Sequence, residues 1–214
     1  MQMIRAYHFL KDDMTAGEGN EPAWRIGEER TIEGQLRLCI WGYHSSLSWY
    51  DALHYAPGNV ACIVEVSEPE GRDADKQVSR TRKLIAARNV ERELCLWGAE
   101  CAERALLRER EHGREADVRC WQAVEATKRY ADGEATADEL AVAWDAAITA
   151  AWAVAWDAAW AAAWAADRTA ARAAAWAAAR AATKHAARAA EIAWQRQRLD
   201  EILSAVFAEE KAEA

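Results

Sequence analysis

The most constraining feature of the chain is the loss of helix-breaking residues in its last third. The last proline is Pro69 and the last glycine is Gly133, so 81 residues without either type follow. In residues 141–190, 29 of 50 side chains belong to alanine, the residue with the highest helix propensity. We therefore predict an almost wholly α-helical segment from about Thr136 onward. If unbroken to Phe207, it would extend on the order of 100 Å.

Aromatic residues recur at four-residue steps along this segment. The tryptophans of the register are Trp144, Trp152, Trp156, Trp160, Trp164 and Trp176. Each four-residue step turns about 400°, so the ridge winds slowly around the helix and suits packing against a crossing helix. An indole offers roughly 150–250 Å² of buriable surface, and five exposed in a row would exceed the apolar patch of a typical monomer. We predict burial in a hairpin, against the N-terminal part, or, as the favoured alternative, in a homo-oligomer.

Charge is sorted along the same segment. Residues 134–167 contain six acids and no Lys or Arg, whereas residues 168–198 contain seven Lys or Arg and one acid, Glu191. This order suits the helix dipole and also antiparallel pairing of acidic and basic halves, either within one chain, by a turn near residues 167–169, or between two chains. Asp145 and Asp157 interrupt the apolar stretch and argue against a membrane span.

The sequence before Gly133 has a different pattern. Residues 4–10 and 60–66 have the apolar, β-branched character of strands, and residues 31–32 and 36–40 are shorter strand candidates. Capping boxes at Ser48–Asp51 and Thr136–Glu139 predict helix starts. The predicted fold class is α+β. A small mixed α/β head domain (1–89) and two connecting helices (90–133) precede a long Ala/Trp/Arg-rich helical region (134–214), formed by one very long helix or a helical hairpin.

Composition excludes some functions. With 27 basic against 35 acidic side chains, the net charge of −8 argues against binding duplex nucleic acid. The five cysteines are an odd number without a C-x-x-C motif, which is typical of reduced thiols in a cytoplasmic protein. The start of the chain has no signal-peptide pattern. No His/Cys spacing matches a structural zinc pattern, so we predict no metal site.

No sequence motif assigns a catalytic residue. The chain lacks P-loop, GxGxxG, GxSxG and HExxH patterns. Polar and aromatic residues in the first 90 positions are instead candidates for binding a ligand. They are His8, Tyr43, His44, Asp51, His54, Tyr55, Arg80 and Arg82. The alternative interpretation is that these side chains only pack at the edges of strands and helices with one polar end in water.

Five sequence blocks carry a resemblance to a known family. They are FLKDDM at 9–14, GYH at 42–44, DALHYAPG at 51–58, VEVS at 64–67 and DKQVSR at 75–80. In these blocks the chain resembles an uncharacterised domain family of bacteriophage, prophage and bacterial proteins. The helix with CAER at 101–104 and the Ala/Trp/Arg-rich tail resemble proteins labelled as immunity proteins. The resemblance implies a phage or mobile-element setting and supplies no activity.

A second resemblance concerns the segment from Gly42 to Val66. It is similar to the central strand-helix-strand of ADP-ribosyltransferases, in which two tyrosines hold nicotinamide. The resemblance implies that Tyr43 and Tyr55 form that pair, that His8 binds ribose and that NAD is the cofactor. The chain departs from the pattern, because Phe9 replaces the glycine after the histidine, the tyrosine lies one position early, and no clear catalytic glutamate follows.

These observations lead to three functional hypotheses. The first is a non-enzymatic phage- or mobile-element-encoded binding protein of the bacterial cytoplasm, without a cofactor, that self-associates through its helical tail. It would recognise a host protein or a nucleotide-like ligand and inhibit or buffer a bacterial defence pathway. The second is an ADP-ribosyltransferase-like NAD-dependent enzyme, and the third is a purely structural helical assembly protein.

Overall fold

The computed structural model describes residues 3–17, 21–154, 161, 164, 171–181 and 185–213. The chain divides into two compact units. The N-terminal unit contains Met1–Val90 together with Asp200–Ala214, and the helical unit contains Glu91–Leu199. Strands dominate the first part of the sequence and helices the second, so the predicted α+β fold class is confirmed.

The described strands are β1 (Met3–Leu10), β2 (Glu29–Thr31), β3 (Tyr43–Ser45), β4 (Val60–Ser67), β5 (Gly71–Arg72), β6 (Gln77–Ser79) and β7 (Thr81–Asn89). The described helices are α1 (Trp49–Leu53), α2 (Glu91–Glu111), α3 (Val118–Ala131), α4 (Ala137–Val154), α5 (Ala171–Ala181) and α6 (His185–Glu213). Both predicted capping boxes are present. The Ser48 hydroxyl accepts from the Asp51 amide at 3.1 Å, and Thr136 and Glu139 exchange reciprocal bonds.

The larger sheet of the N-terminal unit has the strand order β1-β4-β7-β2 and is antiparallel throughout. Strand β4 is central and buried along nearly its whole length, as its continuous apolar sequence requires. It pairs with β1 from Met3 opposite Ser67 to Leu10 opposite Val60. A β-bulge between Ile63 and Val64 interrupts the pairing with β7.

A smaller sheet has the order β3-β6-β5. The two sheets are joined at a bridge in which Tyr7 and Ser46 exchange backbone hydrogen bonds of 2.8 and 3.0 Å. The chain also passes directly from β6 in the small sheet to β7 in the large sheet through Arg80. The two sheets share no strand, and they are joined at the Tyr7–Ser46 bridge and at Arg80.

The predicted strand at residues 36–40 is wrong. Arg37 and Trp41 close a tight turn through two backbone hydrogen bonds of 2.8 Å. Cys39 has a φ of 67°, a left-handed conformation that is incompatible with an extended strand. The aliphatic side chains in this segment resemble a strand in sequence, but the glycines on either side, Gly34 and Gly42, allow the chain to turn.

Helix α1 packs on β1 through Trp49, and the end of α6 packs on Trp49. Side chains alternate along β1, so Tyr7 and Phe9 point away from the face that contains His8. Both rings contact Trp49 of α1, with centroid separations of 4.2 and 6.0 Å. The ring of Phe207 stacks on Trp49 at 5.4 Å with an interplanar angle of 11°. The C-terminal residues thus complete the core of the N-terminal unit.

In the helical unit, α5 and α6 run back along one another. Gln195 donates from its side-chain amide to the Ala175 carbonyl at 2.9 Å, although the two residues are 20 positions apart. Within one straight helix such a separation would place them about 30 Å apart. The described residues here therefore adopt the hairpin arrangement, one of the two alternatives that the sequence left open. The predicted turn near residues 167–169 lies outside the described residues.

A buried carboxylate lies at the centre of this packing. The Glu191 side chain is fully buried and pairs with Arg104 at 3.3 Å and with Arg108, both from α2. Arg108 also donates to the Ala178 carbonyl at 3.0 Å, which connects α2 to α5. The one acid in the basic stretch is thus the partner of two arginines outside that stretch. Of the acidic half, α4 packs against α3.

The tryptophan register has several environments. Trp144 is half-buried against a cluster formed by α3 and α4, Trp164 is half-buried, and Trp176 is 50% exposed with Arg180 over its ring. Trp156, Trp160 and the side chain of Trp152 lie outside the described residues. The predicted role of these tryptophans in an oligomer interface stays a prediction.

Among the described residues, no helix combines the length and the apolar character needed to cross a bilayer.

Candidate functional site

A cavity of about 720 Å³ opens in the N-terminal unit. Its wall is formed by strands of both sheets, the 39–44 segment, and the loop that precedes β2. The lining residues are His8, Ala16, Glu21, Pro22, Arg30, Ile32, Cys39, Ile40, Trp41, Gly42, Tyr43, His44 and Arg82. This volume is in the range of pockets that bind small molecules, about 300–1,000 Å³.

Arg82 is the most unusual of these residues, because its guanidinium is buried with few acceptors. The residue is 4% exposed. Its Nε has no hydrogen-bond partner in the described part of the chain, and its Nη1 makes one long bond of 3.4 Å to the His44 carbonyl. The closest carboxylate oxygen recorded, from Glu21, lies at 3.9 Å. Burial lowers the pKa of Arg82 to about 10, so the side chain still carries its charge at neutral pH.

Two aromatic rings flank this cation. The Arg82 Cζ atom lies 4.7 Å from the ring centroids of both Trp24 and Tyr43, which themselves meet edge to face. These cation–π contacts offset part of the cost of burying the charge. They supply no hydrogen-bond acceptor in the plane of the guanidinium, so the buried Nε stays without an acceptor among the described residues.

Arg30 lines the same cavity but differs in its partners. Its Nε donates to Glu28 at 2.8 Å, and its terminal nitrogens donate to the carbonyls of Pro22 and Ala23 at 2.8 and 2.7 Å. These bonds hold the 21–24 loop against β2. Arg30 therefore has a structural role, whereas Arg82 lacks comparable bonds.

Two histidines lie on the cavity wall. The ring of His8 is partly covered, and its Nε2 is sealed from solvent with no partner among the described residues. Burial, then the nearby charge of Arg82 and His44, hold the pKa of His8 well below its usual value. His44 accepts a hydrogen bond at Nε2 from the Cys39 amide at 2.8 Å, and burial lowers its pKa as well. Both rings are neutral at physiological pH.

Tyr43 and Glu21 add polar groups to the wall. Tyr43 is 7% exposed, and burial followed by the charge of Glu21 raises its phenol pKa. Gly42 precedes it with a φ of 133°, and a Cβ at this position would lie 2.2 Å from a methyl of Val78. A larger residue at 42 would displace β3 from β6, so this glycine is required for the position of Tyr43.

Four of the eight predicted ligand-binding residues line this cavity, namely His8, Tyr43, His44 and Arg82. Arg80 does not. Its guanidinium makes two bonds of 2.8 Å to Glu70 and donates to the carbonyls of Ile32 and Gly34. It anchors the point where the chain changes sheets.

The remaining three predicted residues belong to α1 and its end. Asp51 accepts from the Ser48 hydroxyl at 2.7 Å within the capping box, and His54 is exposed with its ring near the Tyr50 carbonyl. Tyr55 is 47% exposed and donates to Asp75 at 2.6 Å. None of them lines the cavity, so the geometry does not bring Tyr43 and Tyr55 around one ligand.

Four residues of the site were not predicted from the sequence, namely Glu21, Trp24, Arg30 and Trp41. Glu21 and Trp24 flank a proline in what reads as a polar loop, and Arg30 lies in a charged run. No periodic pattern marks them. The sequence offers one signal for Trp24. This tryptophan lies in a loop, close to Pro22, and a large indole in a loop is expected to pack against a nearby surface.

None of the five cysteines, all of which lie in the described residues, forms a disulfide; Cys39 is exposed at the cavity wall and the other four are buried.

Comparison with known proteins gives one match. Residues 4–95 match the family model described as Domain of unknown function (DUF7666). The match covers β1 to the start of α2 and so includes every residue of the cavity wall. No curated protein and no solved structure matches the chain. The resemblances to phage proteins, immunity proteins and ADP-ribosyltransferases are not part of this match.

Proposed function

We propose that the N-terminal unit is a binding module for an anionic small molecule, and that Arg82 binds its anionic group. The observation that carries this proposal is the buried guanidinium, whose contact with the Glu21 carboxylate is long at 3.9 Å and whose Nε has no acceptor in the described residues. Burying a poorly paired charge costs roughly several kcal/mol of folding free energy. An anionic ligand would offset this cost because it supplies both an opposite charge and hydrogen-bond acceptors.

The remaining cavity wall supports a ligand with further polar groups. The neutral His8 ring has a buried Nε2 without a partner among the described residues, and the Tyr43 phenol and the Glu21 carboxylate lie on the same wall. A nucleotide-like compound, as expected from the sequence, carries the anion and the hydroxyl and ring groups that such a wall recognises.

The wider setting is part of the same proposal. A phage- or mobile-element-encoded protein of the bacterial cytoplasm would use this module, or a surface for a host protein, to inhibit or buffer a defence pathway. Self-association through the tail is supported by Trp176, whose ring is half-exposed on α5. Static light scattering tests it, since the chain mass is 23.8 kDa and an oligomer must exceed that value.

An NAD-dependent transferase is not favoured by the geometry. The enzyme hypothesis needs Tyr43 and Tyr55 on one ligand, and Tyr55 instead bonds Asp75 outside the cavity wall. A purely structural assembly protein gives no reason for the unpaired donors of Arg82.

Calorimetric titration of the full chain tests the binding proposal. The probes are ribose 5-phosphate, AMP, ADP, citrate and glutamate. We expect at least one to bind, and Arg82→Met to weaken it by about tenfold or more, because a charge-assisted hydrogen bond is lost. The matched control is Arg5→Met, which removes the same charge from an exposed position on β1. Equal binding by both variants, or no binding of any probe at millimolar concentration, would overturn the proposal.

A further inference from the structure

Two neighbouring apolar side chains of the cavity wall are exposed to solvent. Ile40 is 72% exposed and Trp41 is 52% exposed, and both side chains belong to the cavity wall. Single exposed apolar residues are common, but adjacent ones at a cavity are a frequent mark of a binding surface.

The indole of Trp41 is held in place rather than free to rotate. Its Nε1 donates to the Glu33 carbonyl at 3.2 Å, and its backbone is closed onto Arg37 by two bonds of 2.8 Å. The next residue, Gly42, has a positive φ and stands against Val78. A flat aromatic face that is already ordered loses little conformational entropy when a second ring stacks on it.

The same cavity therefore offers two kinds of recognition. Arg82 provides a buried cation whose Nε has no acceptor among the described residues, and Trp41 provides an ordered, half-exposed aromatic face on the cavity wall. Resting on the proposed function, we infer that the ligand is a nucleoside phosphate, whose phosphate pairs with Arg82 and whose base stacks on Trp41. The cavity of about 720 Å³ is large enough for one such molecule.

The decisive experiment compares two probes that differ only in the base. AMP and ribose 5-phosphate are titrated into the full-length wild-type chain and into Trp41→Ala. Stacking of a base on an aromatic side chain strengthens binding by about 5- to 150-fold. We expect AMP to bind more tightly than ribose 5-phosphate by a factor in that range. Trp41→Ala should bring the ratio of the two affinities close to one, because it weakens AMP binding much more than ribose 5-phosphate binding.

Two further variants complete the design. Trp176→Ala removes a comparably exposed indole from the helical unit and should change neither affinity. Trp41→Phe keeps an aromatic face and should retain most of the preference for AMP, which separates stacking from a general effect on folding. Circular dichroism melts of each variant provide the folding reference.

Failure of this inference differs from failure of the proposed function. Equal affinity for AMP and ribose 5-phosphate, or equal weakening of both by Trp41→Ala, would overturn the inference and leave an Arg82-dependent anion site. If only citrate or glutamate binds, and Arg82→Met abolishes that binding, the inference is likewise overturned and the Arg82-dependent anion site remains. The exposed Ile40 and Trp41 could instead dock a second copy of the chain. In that case light scattering would show a lower mass for Trp41→Ala than for the wild type, and the wild type would show no preference for AMP. That result would also overturn the inference.

Discussion

The guanidinium of Arg82 lies over the ring of Tyr43, with 4.7 Å between its Cζ atom and the ring centroid. Arg82 belongs to β7 of the large sheet and Tyr43 to β3 of the small sheet. The contact therefore joins the two sheets at the cavity wall. It leaves the in-plane donors of the guanidinium without a strong acceptor, which is the basis of the binding proposal.

The unliganded protein should tolerate loss of Arg82 better than loss of Arg30. Arg82→Met removes a poorly paired buried charge and should cost at most about 1 kcal/mol of unfolding free energy. Arg30→Met removes the hydrogen bonds from Arg30 to Glu28 and to the carbonyls of Pro22 and Ala23, so it should cost more unfolding free energy than Arg82→Met. Urea denaturation of both variants measures the order, and a larger cost for Arg82→Met would contradict our account of these residues.

Stability should fall in mild acid because of His8. Its folded-state pKa lies well below its usual value, so the unfolded chain binds more protons as the pH drops below about 6.5. This one group should then cost up to about 1.4 kcal/mol at pH 5.5 relative to pH 7.5. The difference between wild type and His8→Gln in urea midpoints at the two pH values isolates the effect. Parallel losses in both proteins would refute the assignment.

Substitution of Gly42 should destabilise the folded protein far more than substitution of Gly27. Both have positive φ, but a Cβ at Gly27 meets nothing within 4 Å, whereas one at Gly42 lies 2.2 Å from Val78. We expect Gly27→Ala to cost about 1 kcal/mol and Gly42→Ala at least about 2 kcal/mol more. Adding Val78→Ala to Gly42→Ala should recover part of the steric cost. Thermal unfolding of these three variants and of the wild type measures the differences.

The last turns of α6 should stabilise β1. Phe207→Ala removes the ring that stacks on Trp49 and should cost about 3 kcal/mol. Ser204→Ala changes an exposed position of the same helix and should stay within about 0.5 kcal/mol. Hydrogen–deuterium exchange of peptides from β1 is the direct readout. Unchanged protection in Phe207→Ala would show that the stacking contact does not support the strand.

Local signals in the sequence were sufficient for several elements. The Ser48 and Thr136 capping boxes are confirmed because their bonding partners lie three positions away in the chain. Strands β1 and β4 are confirmed because their apolar runs must be buried wherever the chain leads. The tight turn at Arg37–Trp41 was missed, since its aliphatic residues imitate a strand.

Part of the candidate site was also predictable. His8, Tyr43, His44 and Arg82 were selected as polar or aromatic residues near strands, and they line one cavity. Tyr55 was selected on the same grounds but lies outside it. Residue type alone cannot separate these cases, because the side of the sheet to which a side chain points depends on pairing register.

The burial pattern of α6 shows the same limit. Its buried residues are Glu191, Gln195, Leu199, Leu203 and Phe207, again at four-residue steps. The tryptophan register is more conspicuous in the sequence, yet the described part of it includes a half-exposed Trp176. The four-residue spacing of apolar side chains predicts a ridge along a helix. Whether that ridge is buried depends on which other segments pack against it.

By itself, the sequence determined the α-helical character of the described residues of the last third, the starts of α1 and α4, and the strands β1 and β4, because propensity, capping and apolar runs act over a few neighbouring residues. Only the tertiary structure decided that the end of α6 belongs to the N-terminal unit, that α5 and α6 run back along one another, and that Arg82 is buried with the Glu21 carboxylate 3.9 Å away. These features depend on contacts such as Trp49 with Phe207, between residues far apart in the chain, and no local pattern specifies them.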